Sequence, residues 1–354
     1  MTQCTSFDLV EFGQPLQETL RELPEPTGTE ILLQIKRVGV CHSDLHIIEG
    51  MFDLGEEGQM RMADRGMRLP RTLGHEIVGT VIAAGPEAKH ISLGQTALVF
   101  PWLGCGTCRA CIEGRENDCM QMRIIGLVQN GGYATHVFVE SPEFLIDVND
   151  MDLDTIAPHA CSGLTVYNAL GKLNKPHPEA WLAILGAGGL GLNAIAIAQA
   201  LGFKNIVAVD VDDKKLAAAR NLGATAVLNS KQGESIDKLR QITDNALTDV
   251  LDTVGAPATA KLAVHALIKA GRYVVVGLHG GDFKMPQPWL PQKAMTVAGS
   301  HVGTCQQLHD LIDLVRAGKV KKIPVTLRPL SEINQALNDL HEGKVTGRII
   351  LTND

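Results

Sequence analysis

Between residues 31 and 40 apolar positions dominate and are broken by Gln34 and the pair Lys36-Arg37, Ile31-Leu32-Leu33-Gln34-Ile35-Lys36-Arg37-Val38-Gly39-Val40. A short apolar run of this kind predicts a strand, and it delivers Cys41 at its end. Similar strands are predicted around 77–81, 97–100 and 134–139, with Gly and Pro between them, as in an irregular β-rich domain. Residues 50–69 carry Met51, Met60, Met62 and Met67 among glycines and charges of both signs. They have no sustained apolar period, so they are expected to form a loop with at most one short helix. A loop this long is either functional, overhanging a cleft, or a solvated excursion.

After about residue 150 the pattern changes. A helix-like stretch, 154–170, carries Cys161, and the strand Trp181-Leu182-Ala183-Ile184-Leu185 then enters a glycine-rich turn. Strands at 205–210, 226–228, 249–252 and 273–276 alternate with helices at 214–222, 236–242 and 259–267. Such alternation, with strands apolar on both faces, predicts a doubly wound parallel sheet. From about Ser300 the elements are mixed, and Arg348-Ile349-Ile350-Leu351 is expected to rejoin the first domain as a final strand. There is no internal repeat and no low-complexity tract.

The chain has 354 residues, too many for one compact core, and two or three domains are expected. Hydrophobic residues at 45% and charged residues at 20% exclude disordered and fibrous classes. A net charge of −7 without a basic cluster argues against a nucleic-acid partner and for a small substrate. The charge-free run 180–203 could suggest a membrane span, but glycines, Asn193 and Gln199 interrupt it; a buried strand, turn and helix explain it better. The first residues lack a positive start and an apolar stretch, so no secretory signal is expected. Eight cysteines, four of them within 105–119, indicate metal ligation in a reducing compartment, and the reading is cytoplasmic.

Chemistry concentrates in four places. Cys41, His75 and Cys161 are two thiolates and an imidazole, donors that suit Zn²⁺ with its fourth position open to water or substrate. Singly, each could be an ordinary buried residue. Cys105, Cys108, Cys111 and Cys119, separated by two, two and seven residues, can close a tetrahedron around a structural Zn²⁺; an iron–sulfur cluster is the weaker alternative. Gly186-Ala187-Gly188-Gly189-Leu190-Gly191 follows an apolar strand and opens an apolar helix, and Asp210 ends the next strand nineteen residues on. In that context the turn binds a dinucleotide: Gly186 for the tight turn, Gly188 for close approach of the pyrophosphate, Gly191 for helix–strand packing. Asp210 can accept from both adenine-ribose hydroxyls and, with Asp212 and Asp213, disfavours a 2′-phosphate, so NAD is expected over NADP.

In this order the pieces resemble the zinc-dependent alcohol dehydrogenases of the medium-chain dehydrogenase/reductase family. The motifs are residues 39–46, Gly74-His75-Glu76, the lobe 105–119, Cys161-Ser162-Gly163-Leu164-Thr165, the glycine turn and Asp210. The resemblance implies a β-rich GroES-like catalytic domain from 1–152 and 301–354 with a structural zinc lobe, and a Rossmann domain over 153–300. It implies two Zn²⁺ per subunit, NAD, and a homo-oligomer, a tetramer more than a dimer; the apolar strand 294–298 could pair with its copy in a neighbour. Carried over, Cys41, His75 and Cys161 are the catalytic zinc ligands, Glu76 is a carboxylate that can approach the metal, and Asp44 orients the histidine. Ser43 takes the alcohol proton and His46 passes it to solvent. His42 contacts the pyrophosphate, Lys215 the adenine ribose, and Thr165 lies near the nicotinamide.

The implied reaction is reversible oxidation of primary or secondary alcohols to aldehydes or ketones. Zinc lowers the pKa of bound water from about 15.7 to about 7, and a bound alcohol, responding in kind, expels hydride as the alkoxide. Three other readings compete. Polyol and sugar dehydrogenases of the family tend to place a glutamate where this chain has Cys161. Quinone reductases lack the zinc ligands, and a non-catalytic cofactor-binding member would have damaged them. The stretch from Cys41 to His75 is about ten residues longer than in shorter members. Cys4 and Cys305 match no motif.

Overall fold

The computed structural model describes residues 2–353. In the nucleotide-binding half, alternate residues of each strand feed two different cores. Leu182 and Ile184 of Trp181–Leu185 enter one, Ala183 and Leu185 the other; Ile206 and Ala208 part from Val207 and Val209 in the same way. Strands buried on both faces in this manner require helices on both sides, and the pairing is parallel throughout.

The six strands lie in the order Ala226–Asn229, Asn205–Asp210, Trp181–Leu185, Leu247–Asp252, Arg272–Val275, Thr296–Gly299. Chain direction across the sheet reverses beside Trp181–Leu185, so a crevice opens at its C-terminal end, where doubly wound sheets bind ligands. The glycine turn occupies that place. The helix Gly189–Ala200 is apolar apart from Asn193 and Gln199 and is buried from Gly191 to Ala198, which accounts for the uncharged run 180–203. Among the described residues no helix is long and apolar enough to cross a membrane.

The other half is built on a seven-stranded sheet whose centre is Ile31–Gly39, flanked by Glu76–Ala84 and the terminal strand Arg348–Thr352. Ile350 pairs with Gly39 and Leu351 with Val38, so the chain's end does rejoin its beginning. Buried apolar residues from Ile156 to Leu164 pack in this half's core, and Val166, Ala169, Leu170 and Leu173 in the other.

Two expectations need correction. Residues 50–69 are not an open loop: Met51–Asp53 and Gln59–Arg61 form a hairpin, with 3₁₀ turns at Gly55–Glu57 and Ala63–Arg65. Three-residue strands are too short to show alternation, and the turn depends on Gly55 and Gly58 at positive φ. Nor is 154–170 one helix. Pro158 cannot donate, the chain tightens to 3₁₀ over Ala157–Ala160, and the helix restarts at Ser162 after a break at Cys161.

At Gly191 a Cβ would overlap the Gly186 carbonyl, a backbone atom that cannot swing aside. Gly191→Ala is expected to cost about 1–3 kcal/mol and to weaken NADH binding together with the thermal midpoint; an unchanged midpoint would count against this packing constraint.

Candidate active site and metal centres

Cys41 ends the approach from Ile31–Gly39 and caps the helix His42–Glu49. Its backbone N–H donates to Asp44 Oδ2 at 3.1 Å, which points the Asp44 carboxylate back beneath Cys41. The same oxygen accepts from the Tyr133 hydroxyl at 2.6 Å, and Oδ1 lies 3.4 Å from His75 Nδ1. Asp44 is fully buried, so three neighbours hold its orientation, and it in turn holds the ring of His75.

His75 opens the strand Glu76–Ala84, directly after Gly74 at φ +88. A Cβ on Gly74 would lie 2.7 Å from the Tyr133 ring, so only glycine lets the turn approach so closely. Cys161 arrives from the break between helical segments. The ligand atoms of Cys41, His75, Cys161 and Glu76 all lie within 4.8 Å of one another, and all four residues are buried.

Packed this closely, the four groups shift one another's titration. The Cys41 thiol is held well below its usual range, first by its hydrogen bond with Cys161, while the same contact pushes Cys161 up. Burial acts to lower His75, but the Asp44 carboxylate more than offsets it and the group is raised. Burial pushes Glu76 up to about 7 against the opposing Arg348 guanidinium. Glu76 Oε1 accepts from Arg348 Nη2 and from the Ser162 N–H at 3.3 Å; its buried Oε2 has no hydrogen-bond partner. Two sulfurs, an imidazole and an unsatisfied carboxylate oxygen around one point fit Zn²⁺.

The four-cysteine lobe fits a second one. Its sulfurs also lie within 4.8 Å of one another, with Cys108 and Cys111 at 3.5 Å. Backbone N–H groups of Cys108, Cys105 and Gln121 point at the sulfurs of Cys105, Cys119 and Cys119, at 3.3–3.4 Å. Such donors stabilise thiolates; hydrogen bonds from Thr107 and Cys108 bring Cys105 down to about 6.

One cavity of about 410 Å³ runs between the two sheets. Cys41, Ser43, His46, His75 and Cys161 line one end, and Gly186, Gly188, Asp210 and Lys215 the other. His42, Thr165, Gly189 and Leu190 also face it. Gly186 sits at φ +91, and the space a Cβ would take at Gly188 is empty. Asp210 accepts from Ala187 N–H at 2.6 Å and from Val211 N–H at 2.7 Å, which fixes its carboxylate and leaves lone pairs for ribose hydroxyls. Ser43 Oγ is 3.4 Å from His75 Nε2. The His46 ring packs on Phe52 at 5.2 Å, with Nδ1 3.6 Å from Glu49.

Sequence reasoning missed Tyr133, Trp102 and the site role of Arg348. Tyr133 follows two glycines in a segment with no chemical pattern of its own. Trp102 lies edge-on to His75 with ring centroids 5.4 Å apart. Arg348 left one signal, an arginine opening an otherwise apolar strand.

Comparison with known proteins accords with this geometry. Residues 27–150 match the alcohol dehydrogenase GroES-like domain and residues 189–317 the zinc-binding dehydrogenase domain. An NAD-dependent alcohol dehydrogenase of Sulfurisphaera tokodaii is 36% identical over 346 residues, covering 97% of this chain and 98% of that one. The chain belongs to the zinc-dependent alcohol dehydrogenases of the medium-chain dehydrogenase/reductase family. Two solved members of similar shape are the alcohol dehydrogenase of Aeropyrum pernix and, bound to NAD, the acetophenone reductase of Geotrichum candidum. The first is 30% identical with a TM-score of 0.89, covering 99% of this chain and 100% of that one. The second is 28% identical with a TM-score of 0.86, covering 99% and 97%.

Tyr133→Phe removes a buried donor to a charged acceptor, an expected loss of about 1.5–3 kcal/mol in stability. With His75 less firmly held, affinity for the metal at Cys41 should fall about 10–100-fold in chelator competition. Wild-type affinity in that variant would remove Tyr133 from the metal's support.

Proposed function

We propose that the cleft oxidises primary and secondary alcohols to aldehydes and ketones, reversibly, with NAD as the hydride acceptor. The observation that carries this reading is the convergence of Cys41, His75 and Cys161 at one end of the cavity whose other end carries the glycine turn and Asp210. The chain is an NAD(H)-linked, zinc-dependent alcohol dehydrogenase. Zinc supplies Lewis-acid chemistry at the three ligands, and NAD supplies the hydride acceptor.

The protein's own part is to bind, orient and move a proton. In our reading Asp210 and Lys215 hold the adenine ribose, His42 and the N–H groups at the start of Gly189–Ala200 face the pyrophosphate, and Thr165 borders the nicotinamide. Ser43 Oγ takes the alcohol proton and His46 passes it to solvent. Asp44 fixes His75, and Glu76 stands ready to approach the metal when ligands exchange. Ile47, Phe52, Trp102, Ile124 and Leu127 face the cavity and give its substrate end apolar walls. Those walls favour aliphatic or aromatic alcohols over polyols, whose hydroxyls would lose water there without replacement.

The division into 1–152 with 301–354 and 153–300 is part of the proposal, supported by the separate sheets. So is a cytoplasmic homo-oligomer, a tetramer by preference. The edge strand Thr296–Gly299, with Val297 exposed, offers its free side to a second copy.

Two zinc per subunit and NAD-linked oxidation across aliphatic, cyclic and aromatic alcohols are expected, with activity abolished in Cys41→Ser. NAD-linked turnover that survives that change would sink the reading. Asp210→Ser should lower the NAD-to-NADP ratio of kcat/KM by about tenfold or more, equivalent to about 1.4 kcal/mol; equal use of both cofactors by the wild type would refute the preference. His46→Ala should alter the rate–pH profile, and an unchanged profile would exclude His46 from the proton path.

A further inference from the structure

The four-cysteine lobe does more than close on itself. Between Cys111 and Cys119 the 3₁₀ turn Glu116–Asp118 reaches across to the segment 300–305. Asn117 Nδ2 donates to the His301 carbonyl at 3.2 Å, and the His301 ring nitrogen Nδ1 lies 3.3 Å from the Asn117 carbonyl. Glu116 Oε1 accepts from the Cys305 N–H at 2.5 Å, at the start of the helix Cys305–Arg316. From the other side Asn168 Nδ2 donates to the Val302 carbonyl at 2.8 Å.

What is held in this way is not relaxed. Val302 has φ +34, a conformation that a β-branched residue adopts only when its surroundings impose it. His301 and Val302 both face the cavity. The His301 ring lies edge-on to Trp102 at 6.1 Å, and Trp102 lies edge-on to His75 at 5.4 Å. Three rings therefore run from the catalytic metal ligands to the lobe, and the middle one belongs to Trp102–Leu103, the strand that leads into it.

We propose that the four-cysteine lobe is a positioning device for substrate selection: through Asn117 and Glu116 it holds the strained segment 300–305, so that His301 and Val302 continue the cavity wall beside Trp102. Asn117 and Glu116 are positioning residues and touch no reacting atom. Loosening either lets the segment relax from its strained backbone, and the space beside the metal ligands changes shape while the ligands stay in place. The inference rests on the reading of the cleft as an alcohol site.

The test compares wild type with Asn117→Ala, Glu116→Ala and the conservative Glu116→Gln, which keeps an acceptor for the Cys305 N–H. Loss of one such bond should move the ratio of kcat/KM for 1-phenylethanol over ethanol by about fivefold in each alanine variant. Two zinc per subunit and the KM for NAD should stay at wild-type values, and Glu116→Gln should keep the wild-type ratio. Independently of activity, hydrogen exchange followed by mass spectrometry should quicken over residues 299–305 in the alanine variants and not within 105–115. Unchanged selectivity and unchanged exchange in both alanine variants, with the wild type active on these alcohols, would overturn the coupling alone. A wild type that oxidises neither alcohol with NAD would overturn the underlying reading as well.

Discussion

The structure depends on keeping several ionisable groups buried together where water has little access. Cys41, Asp44, His75, Glu76, Cys161 and Arg348 are all buried, and an isolated charge in such a place is costly unless it is paired and hydrogen-bonded. Each group is therefore bound to another: Asp44 to Tyr133 and His75, Glu76 to Arg348 and the Ser162 amide, the thiols to each other. Arg348 also donates to the Val40 carbonyl at 3.3 Å, so its positive charge stands beneath the Cys41 turn. Two carboxylate oxygens of the cluster, Glu76 Oε2 and Asp44 Oδ1, have no hydrogen-bond partner, although Asp44 Oδ1 faces His75 Nδ1 at 3.4 Å, and the donor set around them fits a divalent cation.

Glycine is what allows the network to be so compact. A Cβ on Gly39 would fall on the Glu76 carboxylate, and one on Gly189 would lie 2.6 Å from Arg348 Cδ. The second of these glycines belongs to the nucleotide turn. Arg348 thus packs against the dinucleotide end of the cleft with its stem and against the metal end with its head, and the two ends share a single cation as their common wall.

Much of this could be read from the sequence, and the reason is locality. The parallel sheet announces itself because strand and helix periods alternate and each strand is apolar on both faces; Trp181–Leu185, the glycine turn and Asp210 form one continuous signal. The cysteines of the lobe lie within fifteen residues and carry their own spacing. What escaped reading has no local pattern. Tyr133 is 89 positions from Asp44, and Arg348 is 272 from Glu76, so neither pair leaves a trace in any short window. The turn of the hairpin in 50–69 is also tied to residues far away in sequence: the Glu56 N–H donates to Asp282 at 3.2 Å and Lys284 meets Glu56 at 2.6 Å, both from the opposite half of the molecule. The break at Cys161 was partly visible in Pro158, but a proline near a helix's first turn is also compatible with continuation, and only packing decides between the two.

The last strand, Arg348–Thr352, lies beside one of the first, Ile31–Gly39, in the same sheet. A ribosome making this chain must complete the whole intervening nucleotide-binding unit before Ile31–Gly39 can acquire that neighbour. Until then Glu76 lacks its Arg348 partner, and the amino-terminal half waits as an incomplete fold with part of a strand edge unpaired, the kind of nascent intermediate for which chaperones exist.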